Sequence, residues 1–233
     1  MEELEEWVQT KVEAWAHGVR TLAKIYKRYP QSAYSGLGMS IQLEWHYLQR
    51  NVPEVGSLMG PIEDSLREAF FLAIFRGEEV SANIREILGN SVKHGGLGIP
   101  DPRMSAECAY NTSKAASEVL VGSLLGGIYL NYVAHKGCVC RASSDRQKQR
   151  DLAEKAVILR RKELAGGVIQ NRLRWATENG DWLTAIPHRL NVTDLSREEF
   201  QDNLIPQYGI LTLNLPTDCD GCGKKFLVPH ALS

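Results

Sequence analysis

Ser91-Val-Lys-His-Gly-Gly-Leu-Gly-Ile-Pro-Asp-Pro102 is the stretch that decides how this 233-residue chain folds. Three glycines and two prolines fall within its last eight positions, a density that excludes both a helix and a regular strand. The glycines do not follow the G-x-G-x-x-G spacing of a dinucleotide-binding loop. We therefore predict a tight turn that docks on the core and separates the helices on its two sides.

The composition indicates a globular protein of ordinary charge. The chain is 43% hydrophobic with a net charge of -1, so no overall attraction to nucleic acid is expected. Its five cysteines and the lack of an apolar signal segment predict an intracellular location, in the nucleus or cytoplasm. No uninterrupted apolar run approaches the ~18 residues of a membrane span, so no membrane partner is predicted.

Before the turn, apolar residues recur at helical spacing and predict four helices. These cover residues 2–28, about 32–50, 61–77 and 81–89, with Ser81 as the N-cap of the last. Trp15 and Phe70 mark the apolar faces of the first and third helices. His46 has no acidic or thiol partner one helical turn away and is predicted to be a surface or capping residue.

After the turn, a helix is predicted from Met104 to about Val121, and a basic helix from Ser144 to about Thr177. Residues 122–137 leave open a kinked helix or a turn between two helices. From residue 141 to 180 there are ten Lys or Arg against five Asp or Glu, an excess of five positive charges. Such a helix could follow a phosphate backbone, or could simply present a solvated charged face. The candidate phosphate-binding residues are Arg160, Arg161, Lys162, Arg172 and Arg174.

The region after Gly180 mixes a predicted strand with a short helix. Asn179 and Gly180 give a turn signal, and Trp182 to Ile186 then reads as a short strand. Ser196 and Glu199 have the spacing of a capping box and predict the start of a last helix.

A possible zinc site lies in the C-terminal tail. Cys219 and Cys222 have the C-x-x-C spacing with which two thiolates hold one zinc ion, and His230 provides a third ligand. The fourth ligand is missing from the printed sequence, which ends at Ser233. Zinc is therefore a possible cofactor.

Together these elements predict four regions and a mainly α fold. The fold class is a helical bundle in two layers with a short β and zinc-knuckle-like C-terminal tail. Residues 1–90 form the N-terminal helical layer, 91–102 the Gly/Pro hinge, 103–180 the C-terminal helices with the basic helix, and 181–233 the strand-helix segment and truncated tail.

Several short segments, taken in order, carry a family resemblance. They are Pro30-Gln-Ser-Ala-Tyr34, Glu44-Trp-His-Tyr-Leu-Gln-Arg50, Gly60-Pro-Ile-Glu-Asp64, Arg85-Glu-Ile-Leu88, Gly95-Gly-Leu-Gly-Ile-Pro100 and Asp181 to Pro187. Their order resembles the region downstream of the palm in the reverse transcriptases of non-LTR retrotransposons. The resemblance runs from about Trp7 to the last residue and rests on the order of the segments, because none is specific alone.

The resemblance implies a thumb-like N-terminal region, a zinc knuckle in the tail and a parent protein that is an RNA-directed DNA polymerase. Polymerases hold two metal ions with paired carboxylates, and this chain contains no Asp-Asp pair. We therefore expect a non-catalytic fragment that binds nucleic acid or docks on the rest of its polyprotein. The alternative is a domesticated helical module that binds protein through the Trp15 and Phe70 faces without contacting nucleic acid.

We predict that zinc binding depends on Cys219. Cys219→Ser should abolish zinc binding, while extending the chain by its natural next residues should raise the affinity sharply, because the added fourth ligand completes a tetrahedral site. Metal content after dialysis is the measurement. Equal zinc content in the variant, the parent and the extended chain would exclude the assignment.

Overall fold

The computed structural model describes residues 2–164, 180–188, 190, 193–208, 218 and 222–223. This part of the chain is mainly helical, which confirms the predicted mainly α class. None of its helices is both long enough and apolar enough to cross a membrane. The helices are α1 (Glu2–Tyr26), α2 (Pro30–Gly36), α3 (Gln42–Asn51), α4 (Gly60–Ser65), α5 (Leu72–Ile74), α6 (Ala82–Gly89), α7 (Pro102–Gly126), α8 (Tyr132–Leu164) and α9 (Arg197–Leu204).

Shorter helical turns complete the chain. A π-helical turn at Leu37–Ile41 joins α2 to α3, and another at Leu66–Phe71 joins α4 to α5. The second and third predicted helices are therefore each present as a continuous helical segment, in which a π-helical turn joins two α-helical parts. Single 3-10 turns lie at Val55–Leu58, Val92–His94, Gly180–Thr184 and Ile205–Tyr208.

Helix starts follow the capping residues that the sequence indicates. The Ser81 hydroxyl accepts a hydrogen bond from the backbone N–H of Ile84, as expected of the N-cap of α6. Ser196 and Glu199 form the predicted capping box at the start of α9. The Asp101 carboxylate caps α7 by accepting from the N–H of Arg103 at 2.9 Å. These local contacts confirm the predicted starts at Ser81 and Ser196.

The predicted strand from Trp182 to Ile186 is wrong. Residues Gly180–Thr184 form a 3-10 turn instead. Leu183 is buried in the core, and the Trp182 ring meets the Phe200 ring edge-on at 5.1 Å. Packing of Trp182 on α9 and of the turn on the Val92–His94 turn decides the conformation, because no neighbouring strand is available in the described part of the chain to pair with this segment.

The basic helix begins earlier than predicted, and residues 122–137 contain a turn between two helices. Gly127 has a φ of 60° and ends α7 in the left-handed conformation. Asn131 then accepts a hydrogen bond from the N–H of Ala134 at 3.0 Å, which caps the new helix. Accordingly α8 starts at Tyr132 rather than near Ser144, and α7 and α8 pack together as a long hairpin.

The main core lies between α1, α9 and the helical segment that runs from α4 through the Leu66–Phe71 turn to α5. α1 packs along α4 and the Leu66–Phe71 turn. In the core, the Tyr26 ring meets Phe70 at 6.1 Å and Phe200 at 5.9 Å, both edge-on. Trp15 and Phe70 are buried here, so the expectation that these faces bind another protein is wrong: they are already covered by this chain.

The segment 91–102 is packed against this core. Leu97 and Ile99 are buried, and their N–H groups both donate to the carbonyl oxygen of Leu88, each at 3.1 Å. Carbonyl oxygens of the segment accept hydrogen bonds from side chains that are distant in sequence. The donor and acceptor pairs are Tyr208 to Gly95 at 3.2 Å, Tyr34 to Leu97 at 2.7 Å, Gln42 to Gly98 at 2.8 Å, Arg85 to Ile99 at 2.7 Å and Gln49 to Pro102 at 2.7 Å. The segment is therefore a docked turn, in agreement with the prediction.

Two features of this turn require glycine. Gly95 and Gly98 have φ values of 75° and 68°, which residues with a side chain rarely adopt. Gly96 is needed for a different reason, since a Cβ atom there would collide with the carbonyl oxygens of Ile87 and Asn90. Because both obstacles are backbone atoms, neither can move without displacing the end of α6.

A buried ion pair joins α4, α6 and the turn. The Arg85 Nε and Nη2 atoms bind the two Glu63 carboxylate oxygens at 2.8 and 2.7 Å. Arg67 binds the same carboxylate at 2.7 Å, and the Arg85 guanidinium lies 5.0 Å from the centre of the Phe71 ring. Arg85 Nη1 donates to the Ile99 carbonyl, so each of the three guanidinium nitrogens has a hydrogen-bond partner.

We predict that Gly96→Ala destabilises the protein by about 3 kcal/mol, because the new methyl group overpacks against fixed backbone. Gly122→Ala is the matched control: Gly122 lies in α7 with open space around its Cβ position, so helix propensity should make this change stabilising by about 0.5 to 1 kcal/mol. Urea unfolding followed by circular dichroism measures both. Similar midpoints for the two variants would contradict the close approach at Gly96.

Candidate nucleic-acid interface

The structure places only part of the predicted basic face. Arg160, Arg161 and Lys162 lie in the last turns of α8, where the backbone is described. Arg172 and Arg174 lie outside the described residues. Further towards the N-terminus of α8, where the helix packs on α7, Arg146 and Arg150 carry positive charge.

Glu154 attaches α8 to the start of the docked turn. Its carboxylate accepts hydrogen bonds from the Ser91 N–H at 3.1 Å and the Ser91 hydroxyl at 2.7 Å. It also contacts His94 Nδ1 and accepts from Arg150 Nε at 2.7 Å. Burial opposes ionisation, but the hydrogen bonds from Ser91, Arg150 and His94 prevail and hold the pKa of Glu154 below its usual value. An ionised Glu154 thus fixes the rotation of α8 about its axis.

Fixed in this way, α8 forms one wall of a cationic groove with α3 and α7. The groove has a volume of about 550 Å³, comparable to sites that take a small ligand. We call it the α3/α7/α8 groove. It is lined by His46 and Arg50 from α3, by Ala109, Thr112, Ser113 and Ala116 from α7, and by Ser143, Arg146, Gln147 and Arg150 from α8.

Three guanidinium groups set the charge of this groove. Arg150 shares its charge with Glu154, whereas Arg50 and Arg146 form no ion pair with any carboxylate in the described part of the chain. The hydroxyls of Thr112 and Ser113 add neutral hydrogen-bonding groups on the opposite wall. Arginine is the side chain best suited to bind phosphate oxygens, because its donors form a rigid fork. The groove can therefore bind an anion such as a phosphate group.

The pKa of His46 is lowered by its surroundings in the groove. Burial first, and then the charges of Arg50, Arg146 and Arg150, lower the pKa of His46 to about 4. Its ring also meets the buried Trp45 ring edge-on at 6.3 Å. The imidazole is thus neutral near pH 7, and the groove carries its positive charge on arginines alone.

Sequence reasoning missed most of this groove. It treated His46 as a surface or capping residue and did not single out Arg50, Arg146 or Arg150. A partial signal existed, since His46 and Arg50, like Arg146 and Arg150, are four residues apart and so share a helix face. Nothing in the spacing showed that the two faces meet across α7.

Only one of the three predicted zinc ligands lies within the described residues. Cys219 and His230 lie outside them, and Cys222 is described and exposed. The tail assignment therefore stays a prediction from the sequence.

A second cluster near the groove does not support catalysis or a metal site. Ser91, His94 and Glu154 resemble a nucleophile-base-acid set, but the Ser91 hydroxyl and Glu154 both contact the same ring nitrogen of His94. A relay needs one partner on each nitrogen. Asp151 also lies close to His94 and Glu154, within 4.8 Å. The Glu154 oxygens, however, are already engaged by Ser91 and Arg150, so the cluster acts as a structural clamp.

Comparison of the chain with protein-family models, with curated proteins and with solved structures found no match. The geometry of the α3/α7/α8 groove and the sequence motifs are therefore the basis for a functional proposal.

We predict that Glu154→Gln lowers stability by about 1 to 3 kcal/mol near neutral pH, because a charged acceptor bound by groups of three residues becomes a neutral one. The lowered pKa means that ionised Glu154 stabilises the fold above the usual carboxyl pKa, and that this contribution is lost as the pH falls through the lower folded value. The difference from the parent protein should therefore shrink at acid pH.

The stabilities of the parent and the variant are compared by urea unfolding at several pH values. Glu13→Gln, on the exposed side of α1, is the control. A difference between parent and Glu154→Gln that stays constant down to acid pH would rule out an ionised clamp.

Proposed function

We propose that this chain is a non-catalytic, nucleic-acid-binding module of a retroelement-type reverse transcriptase, from the region downstream of the palm. The observation that carries the proposal is the α3/α7/α8 groove, which is lined by both Arg50 and Arg146, neither of which has a carboxylate partner among the described residues. The resemblance of the ordered sequence segments supports the same function independently.

In this proposal the groove holds phosphates and α8 extends the contact. Arg50, Arg146 and Arg150 bind backbone oxygens, while Arg160, Arg161 and Lys162 continue along the same helix. At a rise of about 1.5 Å per residue, Arg160 lies about 21 Å further along α8 than Arg146. That distance spans about six phosphates of one strand at their axial spacing of about 3.4 Å. The interaction is with the backbone, so little sequence preference is expected.

The remaining parts of the proposal rest on the sequence. The helices on the two sides of the docked turn form two layers, and Arg172 and Arg174 extend the basic face. Cys219, Cys222 and His230 contribute ligands to a zinc knuckle that is complete only with a fourth ligand. The protein acts inside the cell, in the nucleus or cytoplasm, together with the rest of its parent polyprotein, which supplies the catalytic carboxylates.

A second candidate function is protein docking, and one observation favours it. The tip of the α7–α8 hairpin exposes a run of apolar side chains, an arrangement typical of protein contact surfaces. In this function the tip, rather than the buried Trp15 and Phe70 faces, would contact the parent polyprotein. The most exposed members are Leu124, Leu125, Ile128, Tyr129, Tyr132 and Val133.

We predict that a fluorescent single-stranded oligonucleotide binds this protein with an affinity that falls linearly with salt on logarithmic axes. The double variant Arg50→Gln, Arg146→Gln should flatten the slope by about 1.4, at roughly 0.7 per lost phosphate contact. The triple change of Arg160, Arg161 and Lys162 to Gln should flatten it by about 2, at the same value per lost contact.

The matched control is Arg20→Gln, Lys24→Gln, which removes the same charge from the exposed face of α1. An equal loss of slope in this control would mean that only net charge matters and not the groove. Weak binding that does not depend on salt would favour the protein-docking function.

A further inference from the structure

The neutral imidazole of His46 lies among charges of one sign. Arg50 faces it from its own helix, and Arg146 and Arg150 face it from α8. The α7 wall has no ionisable side chain next to it. That wall consists of Ala109, Thr112, Ser113 and Ala116.

An anion in the groove would reverse this field. The same arginines that disfavour a proton on His46 would be neutralised by the ligand, and the ligand would itself attract the proton. Protonated imidazole also donates from both nitrogens, so His46 would gain a donor towards the groove. Binding of the anion and of the proton would each favour the other, as reciprocal linkage requires.

We propose that the α3/α7/α8 groove takes up one proton from solvent at His46 when it binds the phosphate group of a ligand, so that phosphate-class anions bind more tightly as the pH falls. This inference rests on the proposed function for the identity of the ligand, a nucleic-acid backbone phosphate. It adds to that function a regulated affinity that arises in one residue.

The size of the effect follows from the charges. An opposite charge within about 4 to 6 Å raises the pKa of a histidine by about 1 to 3. A bound anion should therefore move the pKa of His46 from about 4 towards about 6. If it reaches about 6, affinity at about pH 5 is about tenfold higher than at about pH 8.

Sulfate is a suitable first probe, because its own charge stays constant between about pH 4 and pH 8 and any titration belongs to the protein. The histidine resonances are followed by NMR against pH, with and without sulfate. We expect sulfate to raise the pKa of His46. An unchanged His46 pKa at saturating sulfate would overturn the proposal.

Two variants make the test independent of folding effects. In Arg50→Gln, Arg146→Gln the pKa of His46 without sulfate should be higher than in the parent, because two of the three repelling charges are removed, and sulfate should raise it much less. In His46→Gln the ratio of sulfate affinities at about pH 5 and pH 8 should fall from about ten to near one. His17→Gln should keep the parent ratio, and a parent-like ratio in His46→Gln would reject His46 as the proton site.

The salt-dependence experiment separates this inference from the proposed function. If sulfate raises the His46 pKa but the oligonucleotide does not bind, the proton-coupled anion site stands and the nucleic-acid function fails. If the oligonucleotide binds through Arg50 and Arg146 but its affinity is the same at about pH 5 and pH 8, the nucleic-acid function stands and proton coupling is excluded.

Discussion

The buried Arg85 guanidinium is the group on which the rest of the fold depends. It binds both Glu63 oxygens, donates to the Ile99 carbonyl and covers the Phe71 ring, so it holds α4, α6 and the docked turn at one point. A charge this deeply buried is tolerated only while every partner is present, and removing one typically costs about 3 to 5 kcal/mol. The pair therefore specifies how the turn sits on the core, in addition to whatever it contributes to stability.

The position of the docked turn in turn sets the positions of the helices that form the groove. Once Ile99 is fixed, Asp101 caps α7 in a defined direction, and Gln49 binds the Pro102 carbonyl to place α7 against α3. α8 packs back along α7, and its Glu154 carboxylate accepts hydrogen bonds from Ser91 at the beginning of the same turn. The two groove walls formed by α7 and α8 are thus attached to opposite ends of the docked turn. Rigid placement of this kind reduces the ordering that ligand binding would otherwise require.

The Glu63/Arg85 pair and the α3/α7/α8 groove differ in how completely their charges have partners. At Glu63 and Arg85 every charge has a partner, as expected of a structural pair. In the groove, burial and the charges of the three arginines lower the pKa of His46, and Glu154 pairs only with Arg150, which leaves Arg50 and Arg146 without a carboxylate partner among the described residues. Local arrangements that lower stability in an otherwise consistent fold are most often found at binding sites. This contrast is the physical reason for assigning function to the groove and structure to the core pair.

The sequence by itself determined the features that depend on neighbours along the chain. Helical periodicity, the caps at Ser81 and Ser196 and the glycine-rich turn all follow from interactions over a few residues, and these the structure confirms. Tertiary structure decided the rest. The Trp182 segment becomes a 3-10 turn because Phe200 offers a packing surface, and the groove exists because α8 brings Arg146 opposite Arg50, which lies on a helix distant in sequence. Periodicity shows which residues share a face of one helix, but only the packing of helices shows which faces meet.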